Sequence, residues 1–456
     1  MIFERIKSEG ISHNSYLIGS ESDAVVIDPR RDCQIYIDLA QQHNLTISHI
    51  FETHRNEDYV IGSLELNNRT GAKIYHGLGL EWKYGNIVKN NEEFKVGRLK
   101  ITAIHTPGHT DESMSYAVSD LSSNKATIMV FTGDALFVND VGRTDLYGIE
   151  ESPRLASNIY NSIVNRLLPL GDGVILCPAH GAGSVCGTHI GDRDESTLGI
   201  ERLQNPLLQM TKVDFIRYKT AEQLERPPYF LQMEKYNLEG PPLMGCLPSP
   251  PLLTPKEFIK EMENGAVVID TSKPAAFGGA HIKGAYSIWL EGLPVFTGWT
   301  LSYNKLILLV LENNCYLEKA VRYLVRAGYD KIKGYLKDGT EGWYNAGLPI
   351  ESLKLLSVYK LKDKLDHGEE LLVLDTRGQV EWDKGHIKGT LNIYVGHLEQ
   401  RLAEVPRNKP VVVLCNVGNM AGLAASILLR DGYKEVYTVL GSMKAWIAAG
   451  FPTTTD

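Results

Sequence analysis

Residues 50–59 of the 456-residue chain read IFETHRNEDY, and this stretch decides what the N-terminal part should look like. Its apolar start, the end of a run that begins at residue 47, predicts a buried strand, and its polar half should follow the carboxyl end of that strand. Open α/β sheets place their functional sites at this end. The stretch therefore predicts a site in which His54 is the first functional side chain.

Short apolar runs alternate with polar turns on both sides of this stretch, as expected for strands. The runs cover residues 15–18, 24–27, 49–51, 73–75, 99–105, 114–118, 127–131 and 174–176. Only a few helical segments intervene, such as 32–43 and 152–168. Residues 1–190 are therefore predicted to form an α/β domain in which two sheets are sandwiched between helices.

The next segment, residues 191–254, differs in composition because proline is frequent in it. Its proline pairs and clusters lie at residues 227–228, 241–242 and 248–255. Such prolines cannot support a sheet or a long helix, although helical pieces are expected at 196–210 and 221–226. The segment is predicted to be a wrapping extension that ends in a proline-rich linker.

The C-terminal part contains an internal repeat, in which short sequences recur in the same order at nearly constant separation. The recurring pairs are Val268-Ile269-Asp270-Thr271 with Val373-Leu374-Asp375-Thr376, His281-Ile282-Lys283-Gly284 with His386-Ile387-Lys388-Gly389, Gly328-Tyr329 with Gly432-Tyr433, and Ala346-Gly347-Leu348-Pro349 with Ala449-Gly450-Phe451-Pro452. Apolar strands alternate with helices in each copy. Residues 255–352 and 353–456 are therefore each predicted to be a small parallel α/β domain.

Three further motifs of the N-terminal domain follow predicted strands and carry side chains that can ligate a metal. They are His105-Thr106-Pro107-Gly108-His109, Phe131-Thr132-Gly133-Asp134 and Pro178-Ala179-His180. Loops at the ends of several strands can converge on one rim of a sheet, as a metal site requires. Together with His54, these motifs predict a metal centre at that rim.

Composition and charge narrow the classes of partner and location. With 47 Lys and Arg against 55 Asp and Glu, the net charge is -8, which disfavours contact with nucleic acid or an acidic membrane. No apolar run approaches the roughly 20 residues that span a bilayer, and the start, MIFERIKSEG, lacks the layout of a signal peptide. The six scattered cysteines fit reduced, mostly buried thiols. A cytoplasmic protein is expected.

The metal motifs, in this order, resemble those of the metallo-β-lactamase superfamily, whose fold is an αββα sandwich. The superfamily signature His-x-His-x-Asp-His has imidazoles at the positions of Asn56 and Tyr59. Mapped onto binuclear members, each of the two metals therefore loses one imidazole. What remains at the first metal position is His54, His109 and Asp134, a donor set that matches the facial triad of non-haem Fe(II) oxygenases.

The persulfide dioxygenase branch of this superfamily has such a mononuclear triad and a Gly-Arg-Thr-Asp segment, which is found here at residues 142–145. The resemblance implies one Fe(II) per chain, with zinc possible in the purified protein. It also implies that Asp58, Tyr59, His180 and Arg143 surround the ligands, as outer groups that orient them or line the substrate pocket.

The two repeats resemble rhodanese domains, and only the second carries a thiol at the active-site position, Cys415. This residue ends an apolar strand and is followed by a loop that leads into a helix, Asn416-Val417-Gly418-Asn419-Met420-Ala421. The N–H groups of such a loop are expected to lower the thiol pKa and to stabilise a persulfide anion. Met420 stands near the place of an arginine in active rhodaneses, which predicts weak binding of thiosulfate. The first copy has Leu311 in place of the thiol and is predicted to be structural.

The three-part order resembles persulfide dioxygenase–rhodanese fusion proteins. This resemblance implies that a low-molecular-weight thiol persulfide is oxidised by O₂ and water to sulfite. Cys415 would either pass a sulfane sulfur to sulfite, which gives thiosulfate, or deliver it to the iron. Two alternatives stay open: a binuclear zinc thioester hydrolase of the glyoxalase II type, and a non-catalytic persulfide carrier or sensor. A homodimer or homotetramer is expected.

Overall fold

The computed structural model describes residues 1–122, 126–222 and 224–456. The chain divides into two compact units. The N-terminal unit consists of Met1–Leu224, Tyr229–Cys246 and Val325–Gly328, and the C-terminal unit of Glu225–Pro228, Leu247–Leu324 and Tyr329–Asp456. Among the described residues, no helix is both long enough and apolar enough to cross a membrane.

Two six-stranded sheets form the centre of the N-terminal unit. The first contains, adjacent in chain order, β1 (Ile2–Ser8), β2 (His13–Ser20), β3 (Asp23–Ile27), β4 (Thr46–Phe51), β5 (Lys73–Gly77) and β6 (Asn86–Val88). The second contains, also adjacent in chain order, β7 (Glu93–Val96), β8 (Leu99–His105), β9 (Met114–Asp120), β10 (Thr127–Gly133), β11 (Ile175–Pro178) and β12 (Ser196–Thr197). Each strand predicted from the apolar runs corresponds to one of these elements.

Helices cover the outer faces of both sheets. The first sheet packs against α1 (Gln34–Gln42) and α2 (Ser63–Thr70), and the second against α3 (Ser152–Ser162), which continues as a π-helical turn over Ile163–Leu167. Successive side chains of a strand point to opposite faces, so Tyr16 and Ile18 fill the space between the sheets while Leu17 packs toward the helices. The unit is an αββα sandwich, which confirms the predicted fold class.

The extension after β12 is more helical than its sequence suggests. It contains α4 (Leu198–Gln204), a 3-10 turn (Pro206–Gln209), α5 (Lys212–Ala221) and α6 (Phe230–Glu239). The helix predicted at 196–210 is therefore only partly present, because Ser196–Thr197 form β12 and Asn205, which precedes Pro206, is extended. The helix predicted at 221–226 is wrong, because α5 ends at Ala221 and residues 224–226 are not helical, while Gln223 lies outside the described residues. The hydroxyl of Thr211 accepts from the Asp214 N–H and caps the start of α5, a signal that the sequence analysis missed.

Two five-stranded parallel sheets form the C-terminal unit. The first contains β13 (Leu252–Leu253), β14 (Val267–Asp270), β15 (Tyr286–Ser287), β16 (Ile307–Val310) and β17 (Ile332–Leu336), and the second contains β18 (Lys354–Leu356), β19 (Leu372–Asp375), β20 (Leu391–Asn392), β21 (Val411–Leu414) and β22 (Val436–Val439). The spatial orders, β13-β17-β16-β14-β15 and β18-β22-β21-β19-β20, are equivalent. This equivalence confirms the internal repeat and its two parallel α/β domains.

Four helices of the first copy have counterparts in the second, which has a 3-10 helix over Val395–Gln400 in place of a fifth α-helix. The first copy contains α7 (Pro255–Glu263), α8 (Pro274–Gly279), α9 (Leu293–Thr300), α10 (Leu317–Arg326) and α11 (Gly339–Asn345), and the second contains α12 (Val358–Asp366), α13 (Gln379–Asp383), α14 (Asn419–Arg430) and α15 (Ser442–Ala448). The first copy packs against α14, where the Ser287 N–H donates to Oγ of Ser426 at 3.1 Å and the Arg430 guanidinium lies 3.9 Å from the Tyr286 ring centroid. It therefore supports the helix that follows Cys415.

Candidate metal centre and thiol loop

The loop after β4 supplies the first side chains of the site and is shaped by Asn56. This residue has a φ of 45°, in the left-handed region that asparagine tolerates better than most residues. Its side-chain amide donates to the His54 carbonyl oxygen at 3.1 Å, and its own carbonyl oxygen accepts from Nδ2 of Asn237 at 2.7 Å. With Asn56 held in this way, Glu57 rather than Asn56 joins His54 in the site.

Four buried side chains, those of His54, Glu57, His109 and Asp134, each bring one donor atom to within 4.8 Å of the others. Nε2 of His109 is 2.9 Å from Oε1 of Glu57 and 3.6 Å from Oδ2 of Asp134. Nε2 of His54 is 3.9 Å from Oε2 of Glu57 and 3.9 Å from Oδ2 of Asp134. Among the described residues, His54 Nε2 and Asp134 Oδ2 have no hydrogen-bond partner, and the 2.9 Å contact between His109 Nε2 and Glu57 lacks the geometry of a hydrogen bond. Since buried polar atoms are almost always paired, this arrangement fits a metal ion held between the four groups.

Outer hydrogen bonds fix which atom of each ligand faces the centre. Nδ1 of His109 donates to the Arg143 carbonyl oxygen at 3.0 Å, and Nδ1 of His54 lies 3.0 Å from Oγ1 of Thr53, so that both Nε2 atoms are left for a metal. Oδ1 of Asp134 lies 2.8 Å from Nδ1 of His180, which leaves Oδ2 free to ligate. The structure therefore places the three ligands predicted from sequence in one cluster and adds Glu57, which the sequence analysis missed.

Thr53 links His54 to a buried carboxylate behind it. The Thr53 hydroxyl donates to Oδ2 of Asp28 at 2.7 Å, so its oxygen accepts from Nδ1 of His54. We expect Thr53→Val to weaken metal binding by roughly 10–100-fold, because His54 loses the contact that orients its ring. A competition titration against a chelator measures this change. Thr53→Ser, which keeps the hydroxyl, is the matched control, and equal losses in both variants would contradict the proposed role of the hydrogen bond.

The charges of the cluster are strongly coupled. Burial lowers the pKa of His54 to about 4, so this imidazole is neutral near neutral pH. Burial acts to raise the pKa of Glu57, but the neighbouring His109 and His54 outweigh it and the pKa falls to about 2. Burial acts to lower the pKa of His109, but Glu57 and Asp134 outweigh it and raise the pKa to about 9. A bound cation would take the place of the proton on His109, since metal ligands must be deprotonated.

A second cluster lies beside the first and consists of Asp58, His180 and Cys186, whose donor atoms are also within 4.8 Å of one another. Nε2 of His180 is 3.0 Å from Oδ2 of Asp58. Sγ of Cys186 is 3.7 Å from Oε1 of Glu57, so the two clusters share a boundary. Burial raises the pKa of the Cys186 thiol well above its usual value. Composition alone predicts Cys186 to be one of the mostly buried thiols, and only its closeness to His180 in the chain could indicate a polar site.

The two other outer residues predicted from sequence also lie around these clusters. Tyr59 is fully buried, its ring centroid is 4.1 Å from that of His13, and its hydroxyl has no partner among the described residues. Arg143 contributes its carbonyl oxygen to His109, while its guanidinium binds both carboxylate oxygens of Asp145 at 2.7 Å. Arg143 thus acts through its backbone, because its side chain is engaged elsewhere.

A cavity of about 260 Å³ opens on the side of the second cluster. Its lining includes His13 and His180 at the inner end. Three basic residues, Arg5, Lys7 and Arg193, also line it. Three acidic residues, Glu9, Asp192 and Asp194, line the cavity as well, and Asp194 pairs with Lys7, so the positive and negative charges of the lining balance.

Cys415 directly follows β21, and residues 416–418 separate it from α14. The N–H of Gly418, whose φ is 112°, donates to Sγ at 3.0 Å. The N–H groups of Ala421, Val417 and Met420 also act to lower the thiol pKa. Burial acts in the opposite direction and is the larger effect, so the pKa of Cys415 is raised. The expected N–H groups are present, but the expectation of a lowered pKa is wrong because sequence gives no measure of burial.

Comparisons with known proteins agree with this architecture. The model of the metallo-beta-lactamase superfamily matches residues 9–81, and the rhodanese-like domain model matches residues 254–346 and 357–449. The crystal structure of a metallo-beta-lactamase from Staphylococcus aureus subsp. aureus COL is 31% identical, with a TM-score of 0.66, over 74% of this chain and 98% of that one. The chain belongs to the metallo-β-lactamase superfamily. It carries two rhodanese-like domains after the superfamily domain, as the sequence analysis predicted.

Curated relatives of the superfamily domain carry different activities in their names. Persulfide dioxygenase ETHE1, mitochondrial, from Bos taurus is 25% identical over 225 residues, which are 47% of this chain and 78% of that protein. Hydroxyacylglutathione hydrolase from Dictyostelium discoideum is 28% identical over 172 residues, which are 36% of this chain and 61% of that protein. Family membership alone therefore leaves the reaction to be argued from the donor set.

Proposed function

We propose that this protein is a non-haem Fe(II) persulfide dioxygenase that oxidises a low-molecular-weight thiol persulfide to sulfite, joined to rhodanese sulfur transfer at Cys415. The observation that carries the proposal is the buried cluster of His54, His109 and Asp134, because two imidazoles and a carboxylate with open positions suit Fe(II) and O₂. The presence of a thiol-bearing rhodanese loop in the same chain supports a sulfur substrate.

The overall reaction consumes one persulfide, O₂ and water and yields the thiol and sulfite, so the outer sulfur is oxidised and O₂ is the oxidant. An Fe(II) ion at this site would supply the redox chemistry. Oδ2 of Asp134 faces the centre because His180 contacts Oδ1. Thr53 orients the imidazole of His54, and the Arg143 carbonyl oxygen orients that of His109. Preorganised ligands of this kind avoid reorganisation during the reaction.

The proposed substrate is a small thiol persulfide, and the cavity of about 260 Å³ next to His180 would admit a molecule of this size. At Cys415, sulfite would accept a sulfane sulfur and form thiosulfate, or the persulfide formed there would be delivered for oxidation. The N–H groups around Sγ would stabilise the persulfide anion in either direction.

A second candidate is a binuclear zinc thioester hydrolase, and the cluster of Asp58, His180 and Cys186 is the observation that favours it. A second metal held there would serve hydrolysis through a metal-activated water. Tyr59 counts against this alternative, because it stands where the superfamily signature has an imidazole.

Metal analysis of aerobically purified protein, combined with O₂ uptake on adding glutathione persulfide, tests these readings together. We expect about one iron per chain and rapid O₂ consumption with sulfite as the product. Zinc near two per chain with thioester cleavage would instead establish the hydrolase. Stable persulfide binding without O₂ uptake or hydrolysis would indicate a carrier or sensor.

A further inference from the structure

We infer that Glu57 is a fourth protein ligand of the metal held by His54, His109 and Asp134, which makes the centre a two-imidazole, two-carboxylate site. This inference deepens the proposed function and rests on its metal, but not on the oxidation of persulfide. The superfamily signature specifies no residue at this position. Glu57 lies between Asn56, which replaces a histidine of the signature, and Asp58, which matches its aspartate.

The contacts of Glu57 place its carboxylate on the metal side of both imidazoles. Oε1 is 2.9 Å from Nε2 of His109, and Oε2 is 3.9 Å from Nε2 of His54. A carboxylate that only oriented an imidazole from outside would contact Nδ1, yet the Nδ1 atoms are taken by Arg143 and Thr53. Glu57 therefore shares the inner face with the other donors.

The separations between donor atoms match those of ligands around one ion. Two atoms that each lie about 2.1 Å from a metal are roughly 3.0 Å apart at right angles and roughly 4.2 Å apart on opposite sides. The contacts of His54 and His109 with Glu57 and Asp134 are 2.9, 3.6, 3.9 and 3.9 Å. All of them suit a shared cation.

The backbone explains why Glu57 enters the centre. The left-handed conformation of Asn56 turns the chain, and the Asn56 side chain bonds back to the His54 carbonyl oxygen. Asn237 holds the turn on both sides, since its Nδ2 donates to the carbonyl oxygens of Asn56 at 2.7 Å and Tyr59 at 2.8 Å. Compared with the superfamily signature, the loop has no imidazole at residue 56 and instead brings the carboxylate of residue 57 into the cluster.

The charges of the buried carboxylates are compatible with this assignment. Glu57 and Asp134 are both buried, with exposed fractions of 2% each, and they face the same space. Two buried carboxylates repel each other and are costly unless a cation compensates them. A divalent ion would be neutralised by the pair, and a six-coordinate ion would keep two open positions, one for each co-substrate.

Cobalt(II) substitution tests the ligand directly. With [¹³C]glutamate-labelled wild-type protein, we expect the carboxyl resonance of one glutamate to show the large contact shift and extreme broadening of a group bonded to Co(II), relative to the zinc form, while other glutamates near the site show only smaller through-space shifts. This measurement needs no variant. If all glutamate carboxyl resonances showed only through-space shifts, the inference would be overturned.

The variant Glu57→Gln adds a test of affinity. Its amide can still accept a hydrogen bond but is a poor ligand, so we expect Co(II) affinity, measured by chelator competition, to fall at least about 10-fold. Glu65→Gln makes the same change at a buried glutamate that binds the backbone N–H groups of Met244 and Gly245, and should leave Co(II) affinity unchanged. Unchanged affinity in Glu57→Gln would overturn the inference. A contact-shifted glutamate resonance without persulfide-dependent O₂ uptake would instead refute the proposed function alone.

Discussion

Asp134→Asn is expected to empty the metal centre and to lower persulfide-dependent O₂ uptake by at least about 100-fold. Asp134 links the two clusters, because Oδ1 lies 2.8 Å from Nδ1 of His180 while Oδ2 faces Nε2 of His109 and His54 at 3.6 and 3.9 Å. Asparagine keeps the shape but removes the negative charge that a cation requires. Metal content and O₂ uptake, measured on the same preparation, report the two effects together.

Asp120→Asn is a suitable control for this variant. Asp120 ends β9, and its Oδ1 accepts from the Ser122 N–H at 2.8 Å, so the same chemical change falls outside both clusters. We expect its metal content and O₂ uptake to equal those of the unaltered protein. If Asp134→Asn also kept both, the assignment of the centre would be wrong.

Much of this site was predictable because it follows from strand order. The apolar runs fix where β4, β8, β10 and β11 end, and polar residues just after those ends must meet at one rim. His54, His109, Asp134 and His180 are such residues, and the structure brings them within two adjoining clusters. Their positions after the strand ends therefore predict that these side chains lie close together in the folded protein.

Glu57 was not predictable in the same way, because a single backbone angle decides which neighbouring side chain enters the centre. With Asn56 at a φ of 45°, the chain turns and residue 57 points inward. An extended conformation would instead present alternate residues, so that residue 57 would point away from the face that holds His54. The motif around Cys415 likewise indicates N–H donors. The pKa of the thiol, however, also depends on how deeply the folded chain buries it, which the motif does not show.

The extension after β12 shows a different limit of sequence reasoning. Its prolines indicated where helices stop, yet α5 and α6 form because a few apolar side chains find partners in the N-terminal unit. Phe215 of α5, and Phe230 and Met233 of α6, are buried. Tertiary packing supplies most of the stability of short helices, so a polar segment with few apolar anchors gives a weak signal.

Cys415→Ser is expected to abolish sulfur transfer while sparing the oxidation of persulfide. Serine fits the same space and can accept from the Gly418 N–H, which lies 3.0 Å from Sγ, but its oxygen cannot form or carry a persulfide. Thiosulfate formation from sulfite and a persulfide donor should fall at least about 100-fold. Metal content and the initial rate of O₂ uptake should not change, since no donor atom of either metal cluster belongs to this residue.

Cys315→Ser in the first rhodanese copy is the matched control, because Cys315 is exposed and Leu311 occupies the place equivalent to Cys415. It should alter neither activity. A loss of O₂ uptake in Cys415→Ser alone would mean that sulfur reaches the metal only through this thiol, and that the two activities are steps of one obligatory sequence. Retained uptake with lost thiosulfate would instead show that the superfamily domain takes persulfide from solution and that Cys415 acts on its own donor.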